Sequence, residues 1–257
     1  MSLSPRLAWS IARRELRGGL RGFWVFLACL SLGVAAIAAV GTVRAAIQAG
    51  LTEQGAVLLG GDAQVEFTYR FASPEERAYL DSIATAVSEV VDFRSMAVAG
   101  EARVLTQVKA VDGAYPLIGA VQLQDDLPLD QALAEQGAVM DPVLAAQMGL
   151  VAGDTFTLGT AEFTLRGLLL REPDSATGGF ALAPRTMVRL EDLATSGLLA
   201  PGTLYDSEYR MVLPTGTDLA ALQAATETAL ADSGLRWSDS RRAAPGVEQF
   251  VERIGSF

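Results

Sequence analysis

Residues 23–43 read FWVFLACLSLGVAAIAAVGTV, an unbroken run of 21 residues without one charged side chain. Arg21 and Arg44 flank the run on its two sides. An α-helix rises about 1.5 Å per residue, so a helix of this length spans roughly the 30 Å hydrocarbon core of a bilayer. The run therefore predicts one membrane-spanning helix near the start of the chain.

Charged residues are unequally distributed on the two sides of this run. Five arginines and one glutamate precede it, which leaves 15 of the 20 basic residues and 29 of the 30 acidic residues after it. Lysine and arginine accumulate on the cytoplasmic side of a membrane helix. We therefore expect a cytoplasmic N-terminus and an outer location for the long acidic part of the chain.

A cleaved secretory signal is the alternative interpretation of the apolar run. Ala36-Ile37-Ala38 fits the small residues of a cleavage site. The run of 21 residues is longer, however, than the usual signal core of about 7–15 residues. The long basic lead-in also departs from a signal sequence, so the run favours a retained anchor.

The lead-in, residues 1–22, predicts an amphipathic basic segment on the cytoplasmic side. Leu3, Leu7 and Ile11 recur every four residues, and arginines occupy an adjacent face of the same helix. Such a helix places its apolar side at the acyl boundary and its basic side toward anionic headgroups. We therefore expect contact with membrane lipid. A basic flank that only sets the topology is the simpler interpretation, and the two are compatible.

Three small residues form a stripe within the apolar run. Ser31, Ala35 and Ala39 lie at intervals of four residues, and small side chains let a second helix approach closely in lipid. They are the candidate helix-packing residues of the chain. The alternative is that the stripe reflects no more than an alanine-rich composition.

The residue types of the chain exclude several classes of chemistry. There is no histidine, so neither a Ser-His-Asp triad nor a histidine-ligated metal site is available. The one cysteine, Cys29, lies in the apolar run, and no GxxxxGKS or GxxxxGKT phosphate loop occurs. An acidic outer part also argues against nucleic acid, which requires clustered basic residues. We therefore predict no catalytic residues, no metal site, no cofactor and no nucleic-acid partner.

The one lysine of the chain, Lys109, alternates with apolar residues in a predicted strand. A Ser-Lys catalytic pair would have to use this side chain. Lysine is almost never fully buried in proteins unless it is paired. We therefore expect Lys109 to be a solvated residue of its strand.

The chain after the apolar run predicts an α+β domain with a β-α-β unit at each end. In the first unit, a strand at 63–69 precedes a helix that Ser73 caps, and Glu76 completes the capping box. Strands at 90–98 and 102–111 follow.

The second unit has the same order of elements. A strand at 209–213 precedes a helix that begins at Asp218, Gly234 suits the end of that helix, and a strand follows at 235–239. Together the two units predict one sheet covered by helices.

The residues between the units, about 112–204, predict a small inserted β-rich lobe. A short helix begins at Asp141 and ends at Gly149. The stretches 155–158 and 162–165 alternate between apolar and polar residues, which predicts a hairpin.

Residues 44–61 form a stalk between the membrane run and the outer domain, which we assign to residues 62–240. Gly60 and Gly61 lie at the end of the stalk and lack the context of a nucleotide-binding loop. Because glycine frees the backbone, we predict a hinge at this pair.

Several segments resemble the FtsX-like family of ABC transporter permeases, and most closely its YbbP-type branch. The segments are Ala12–Arg17, Leu58–Asp62, Val108–Leu117, Val151–Thr155, Arg171–Asp174 and Gly178–Phe180. The resemblance covers nearly the whole chain and is specific in the order and spacing of these segments. The resemblance implies a bacterial inner-membrane protein with a MacB-like periplasmic core domain and a porter-like β-α-β sandwich.

The resemblance also implies a function and a set of partners. A separate cytoplasmic ABC ATPase would bind the ATP, and the permease would couple hydrolysis to motion of the periplasmic domain. The substrates implied are hydrophobic compounds, lipids or lipoproteins, which are exported or extracted. The partners implied are the ATPase, the remaining permease helices or a second permease copy, and a periplasmic protein.

Permeases of this kind continue into further membrane helices. Residues 241–257 resemble the approach to the second one, so we expect an N-terminal fragment or a split reading frame. Two other functions stay open. One is a membrane-anchored regulator or scaffold of cell-envelope enzymes, as FtsX is. The other is an anchored periplasmic hydrolase, for which the sequence offers no catalytic set.

Overall fold

The computed structural model describes residues 20–174, 183–200 and 202–241, with side chains at 23–42 and from residue 55 onward in those ranges. The predicted lead-in up to residue 19 and the predicted approach after residue 241 lie outside them. The chain forms two compact units, Met1–Gly50 and Leu51–Phe257.

The described elements follow one another in an alternating order. The helices are α1 (Leu20–Leu59), α2 (Pro74–Ile83), α3 (Leu129–Ala132), α4 (Pro142–Met148) and α5 (Leu219–Ala229). The strands are β1 (Ala63–Thr68), β2 (Ala86–Ala99), β3 (Ala102–Val111), β4 (Gln122–Leu123), β5 (Gly137–Met140), β6 (Thr155–Leu158), β7 (Ala161–Arg171), β8 (Arg185–Arg189), β9 (Asp206–Val212) and β10 (Arg236–Asp239).

Helix α1 is one continuous helix of 40 residues. Its segment Phe23–Thr42 has a mean hydropathy of 2.4, and among the described helices it is the one long and apolar enough to cross a membrane. This confirms the predicted apolar helix of membrane-spanning length. The predicted stalk is the continuation of the same helix as far as Leu59.

The two β-α-β units interleave in one sheet. Strand β1 lies between β9 and β10, β9 also pairs with β2, and all three pairings are antiparallel. Helices α2 and α5 cover one face, where Leu80 of α2 packs on a core that includes Phe67, Tyr209 and Trp237. The units therefore form the predicted helix-covered sheet in a split β-α-β arrangement.

The insert is β-rich, as predicted, and it extends the same sheet. Strand β8 pairs in parallel with β3, and β5 pairs with both β8 and β7. Hairpin β6–β7 forms at the predicted place, and β6 also pairs with β2. A shared core contains Phe156 and Phe163 of the hairpin together with Val108 of β3.

Local signals set most element ends, and tertiary pairing moves others. The Ser73 side chain accepts from the Glu76 amide and Glu76 accepts from the Ser73 amide, which confirms the capping box. Strand β9 begins at Asp206, three residues before the prediction, because it pairs with β2 along that extension. The prediction that Gly234 ends α5 is wrong, because α5 ends at Ala229 and Gly234 leads the chain into β10 with φ +68°.

Candidate functional site at the end of the apolar helix

The predicted helix-packing residues form an exposed strip on α1. Ser31, Ala35 and Ala39 lie one turn apart, and their side chains are exposed. Ser31 Oγ donates a hydrogen bond to the carbonyl of Leu27, so its hydroxyl is satisfied within the helix. The strip thus presents small and satisfied side chains, and its role in helix packing stays a prediction.

Gly60 and Gly61 end α1 in a Schellman cap. The Gly60 amide donates to the carbonyl of Val57 at 3.2 Å, and the Gly61 amide donates to the carbonyl of Ala56 at 3.0 Å. Gly60 has the left-handed backbone that such a cap requires, with φ +75°. The pair is therefore an ordered helix terminus.

The cap packs tightly against the outer domain. A Cβ atom on Gly60 would lie 3.2 Å from Arg210 Nη1 and 3.3 Å from Asp174 Cβ. A Cβ atom on Gly61 would lie 2.8 Å from the Met211 carbonyl oxygen. Only glycine fits these two positions without a shift of the surroundings. A hinge at the pair stays a prediction, and the structure shows that the pair rests on charged side chains.

Lys109 pairs with Asp174 and is buried, which makes the prediction of a solvated lysine wrong. Its side chain is 1% exposed, and its ammonium group contacts Glu172 Oε2 at 3.0 Å and Asp174 Oδ2 at 2.6 Å. The Lys109 Nζ atom also lies 4.9 Å from the centre of the Tyr115 ring. The segment that follows β7 covers this face of β3, so the lysine exchanges water for two carboxylates.

Arg210 is the second buried cation of the site. Its Nη1 atom pairs with Asp174, and its Nη2 atom lies 2.6 Å from Glu208 Oε2. The Tyr115 hydroxyl donates to Asp174 Oδ1 at 2.7 Å. Asp174 therefore pairs with two cations and accepts a hydrogen bond from one phenol while it is almost fully buried.

Arg185 extends the network along β8. Its Nε atom lies 3.0 Å from Glu172 Oε1, and its Nη1 atom lies 2.9 Å from Asp92 Oδ1. We use the name ion cluster for the three basic and four acidic residues linked in this way. They are Lys109, Arg185, Arg210, Asp92, Glu172, Asp174 and Glu208.

Burial shifts the pKa values of Lys109 and Glu208 toward the neutral forms of these side chains. Desolvation, with help from the nearby Arg210 charge, lowers the pKa of Lys109 to about 8 against the opposing effect of Glu172. Desolvation, with help from Asp92, raises the pKa of Glu208 to about 8. Burial disfavours the charged form of Arg185 as well, but the carboxylates of Asp92 and Glu172 raise its pKa on balance.

The geometry of the cluster indicates a structural role, in which ion pairs connect several elements of the fold. Two carboxylates and an aromatic ring enclose the Lys109 ammonium group. Although its pKa is lowered, the amine is therefore not accessible to a substrate as a nucleophile. A cleft of about 450 Å³ borders the outer members Glu172 and Arg185. The described side chains contain no group of three or more histidine, cysteine, aspartate or glutamate residues that could hold a metal ion.

Sequence reasoning missed the cluster, although two of its parts stood in the segments that carried the family resemblance. Lys109 belongs to the segment 108–117, and Glu172 and Asp174 belong to the segment 171–174. A signal was therefore present in the pairing of the one lysine with a Glu-x-Asp motif. Nothing in either segment showed that they meet in space.

Residues 23–229 match the family described as the MacB-like periplasmic core domain. Over 184 residues the chain is 32% identical to the uncharacterized ABC transporter permease YbbP of Escherichia coli (strain K12). That match covers 70% of this chain and 22% of YbbP, so the chain spans about a fifth of the length of this relative.

Two solved structures contain similar chains. The periplasmic region of MacB from Actinobacillus actinomycetemcomitans has a TM-score of 0.49 at 10% identity, covering 76% of this chain and 94% of that chain. The extracellular domain of the noncanonic ABC-type transporter YknZ from Gram-positive bacteria has a TM-score of 0.47 at 11% identity, covering 69% of this chain and 100% of that chain.

Proposed function

Because this chain belongs to the family of MacB-like periplasmic core domains, we propose that it acts as part of an ABC transporter permease subunit. A separate cytoplasmic ATPase binds and hydrolyses ATP in this proposal, and the permease carries the resulting motion to the outer domain. The motion serves the export or extraction of hydrophobic compounds, lipids or lipoproteins.

One observation supports the mechanical part of the proposal most directly: α1 ends within the packing of the outer domain. A Cβ atom on Gly55 would overlap the carbonyl of Ser240, which follows β10, and the cap at Gly60 rests on Arg210 of β9. A displacement of the end of the helix therefore reaches two strands of the sheet without a flexible connection. Close backbone packing transmits displacement because protein interiors are dense.

The proposal assigns no chemical step to this chain. The buried lysine is enclosed by its ion pairs, and the similar E. coli protein is named a permease. Its partners are the ATPase, the remaining permease helices or a second permease copy, membrane lipid and a periplasmic protein.

Co-purification and ATP hydrolysis test this function. The chain is expressed with the remaining permease helices and a candidate ABC ATPase, and the complex is placed in lipid nanodiscs. We expect the ATPase to co-purify and its hydrolysis rate to depend on the permease.

An outer domain that binds a cell-wall hydrolase with no ATPase in the complex would favour the regulator function instead. Esterase or peptidase activity of the purified chain would contradict the non-enzymatic role.

We propose that the N-terminus is cytoplasmic and the acidic domain periplasmic, since the arginines precede the apolar run. A reporter that is active only in the periplasm should be active when it is fused after Phe257. The same reporter should be silent when it is fused near Pro5. The reverse pattern would invert the assignment of sides.

A further inference from the structure

The ion cluster and the helix cap beside it bring together three parts of the fold that are distant in sequence. Gly60 ends α1, Arg210 lies on β9 of the second β-α-β unit, and Asp174 follows β7 of the insert. Asp174 is their meeting point. Its carboxylate pairs with Lys109 and Arg210, and its Cβ atom would lie 3.3 Å from a Cβ atom on Gly60.

The helix end closes this cluster on one side. Gly60 has no side chain, so the backbone of the cap itself packs against Arg210 and Asp174. If the cap lifted, water would reach Arg210 and Asp174, and the attraction between their charges would weaken in the higher dielectric of water. The seating of the helix end and the sealing of the cluster are therefore coupled.

We propose that Lys109, Asp174 and Arg210 form a latch that holds the end of α1 on the outer sheet. While the latch is intact, displacement of the end of α1 moves β9 and the insert with it. When the latch is broken, the chain bends at Gly60 and Gly61. The use of this latch in transport rests on the proposed function, whereas the latch itself is a property of this chain.

Hydrogen exchange of the full chain in detergent micelles tests the latch. The amides of Gly60 and Gly61 donate the cap hydrogen bonds, so their exchange reports the opening of the cap. In Lys109→Met, the carboxylates of Glu172 and Asp174 lose a shared cation. We expect exchange in residues 55–61 to become faster by about tenfold, because local opening sets the exchange rate. Exchange in α2 should stay within about twofold of the wild type.

Arg70→Met is the control, because it also removes a cation that contacts a carboxylate, at the other end of β1. Arg70 contacts Glu76 at 2.6 and 2.8 Å near the start of α2. The cap precedes β1, whereas Arg70 follows it. The control should leave exchange in residues 55–61 unchanged. Unchanged exchange there in Lys109→Met, or equal acceleration throughout the domain, would overturn the latch.

Asp174→Asn provides the second variant if Lys109→Met does not fold. The asparagine keeps the shape of the side chain but removes the charge that Lys109 and Arg210 share. It should accelerate exchange in residues 55–61 in the same selective way, and a uniform or absent effect would again overturn the proposal. The experiment contains no ATPase. A chain with a working latch that fails to associate with any ATPase would therefore contradict the proposed function alone.

Discussion

Lys109 is held by Glu172 and Asp174, which lie 63 and 65 residues later in the chain. Val108 and Ala110 beside it belong to the core shared with the insert. Alternation along β3 therefore directs Lys109 to the opposite face of the sheet. On that face the ion cluster holds three basic and four acidic side chains, so its acidic groups outnumber its basic groups by one. The raised pKa of Glu208 has burial as its main cause and the neighbouring Asp92 as the next.

Glu208→Gln should reduce the pH dependence of stability. Burial raises the pKa of Glu208 from 4.5 to about 8, so between these values the folded chain keeps a proton that the unfolded chain has released. The stabilising contribution of the protonated Glu208 is complete below its unfolded pKa and is lost as the pH rises through its folded pKa. We therefore expect the free energy of unfolding of the wild type to fall between about pH 5 and pH 8, and to fall less in the variant.

Urea unfolding of the full chain in detergent micelles, measured across that pH window, checks this prediction. Lys109 acts in the opposite direction above its folded pKa of about 8, so the window stops there. Glu162→Gln, an exposed change on β7, is the control and should retain the wild-type dependence. Equal slopes for Glu208→Gln and the wild type would show that Glu208 is ionised in the folded chain.

Helix α1 combines an apolar segment with an end that is built into the outer domain. Its side chains at residues 23–42 are exposed, whereas its last turn contains the buried Leu59. The two ends of one helix therefore meet different surroundings, lipid in the proposed function and a protein interior in the structure.

Ala35→Leu should weaken association of α1 with the remaining permease helices. Close approach in lipid depends on small side chains, because lipid supplies no hydrophobic drive between helices. Leucine adds bulk at the centre of the strip and leaves the segment as apolar as before. The measurement is co-purification with those helices supplied in trans, compared with Ile37→Leu. Equal recovery of the two variants would show that the strip reflects only an alanine-rich composition and has no role in helix packing.

Gly60→Ala should destabilise the chain more than Gly100→Ala does. Both glycines have a left-handed backbone, with φ +75° and φ +58°, but a Cβ atom on Gly100 would meet nothing within 4 Å. Gly100→Ala therefore isolates the backbone term of about 1 kcal/mol. Gly60→Ala adds contact with Arg210 and Asp174 to that term. Urea unfolding measures both, and equal losses would mean that the cap accommodates a side chain.

The outer domain depends on pairing between the two ends of its sequence. Strand β1 pairs with β9 and β10, and both of these strands follow residue 201. The insert reaches the same sheet through β8, which pairs with β3. The first β-α-β unit is therefore completed by the second, and the insert is attached to it along a continuous sheet.

A fragment of residues 55–241 should fold alone, and a fragment of residues 55–200 should not. The longer fragment keeps the helix cap and every strand of the described sheet. The shorter one leaves β1 without its two partner strands and leaves an apolar face uncovered. Thermal unfolding by circular dichroism compares the two. Cooperative melting of residues 55–200 would contradict the interdependence of the two units.

Much of the architecture was predictable from the sequence, because the signals that specify it act over a few residues. The apolar run is long enough to identify α1, and the Ser73 capping box and the Asp141 and Asp218 N-caps begin their helices where predicted. The alternation at residues 155–165 gives the hairpin β6–β7. Hydrogen bonds from caps and the periodicity of helices and strands lie within about four residues of chain.

The order of the strands and the ion cluster were decided by the tertiary structure alone. Nothing near Lys109 distinguishes a solvated lysine from one covered by Glu172 and Asp174. Gly60 and Gly61 are a second example. Two glycines suit any helix cap, and their sequence does not show that this cap lies against Arg210 and Asp174. The environment of a charged side chain depends on which distant segment covers it, because burial and pairing are set by contacts in space rather than by neighbours in the chain.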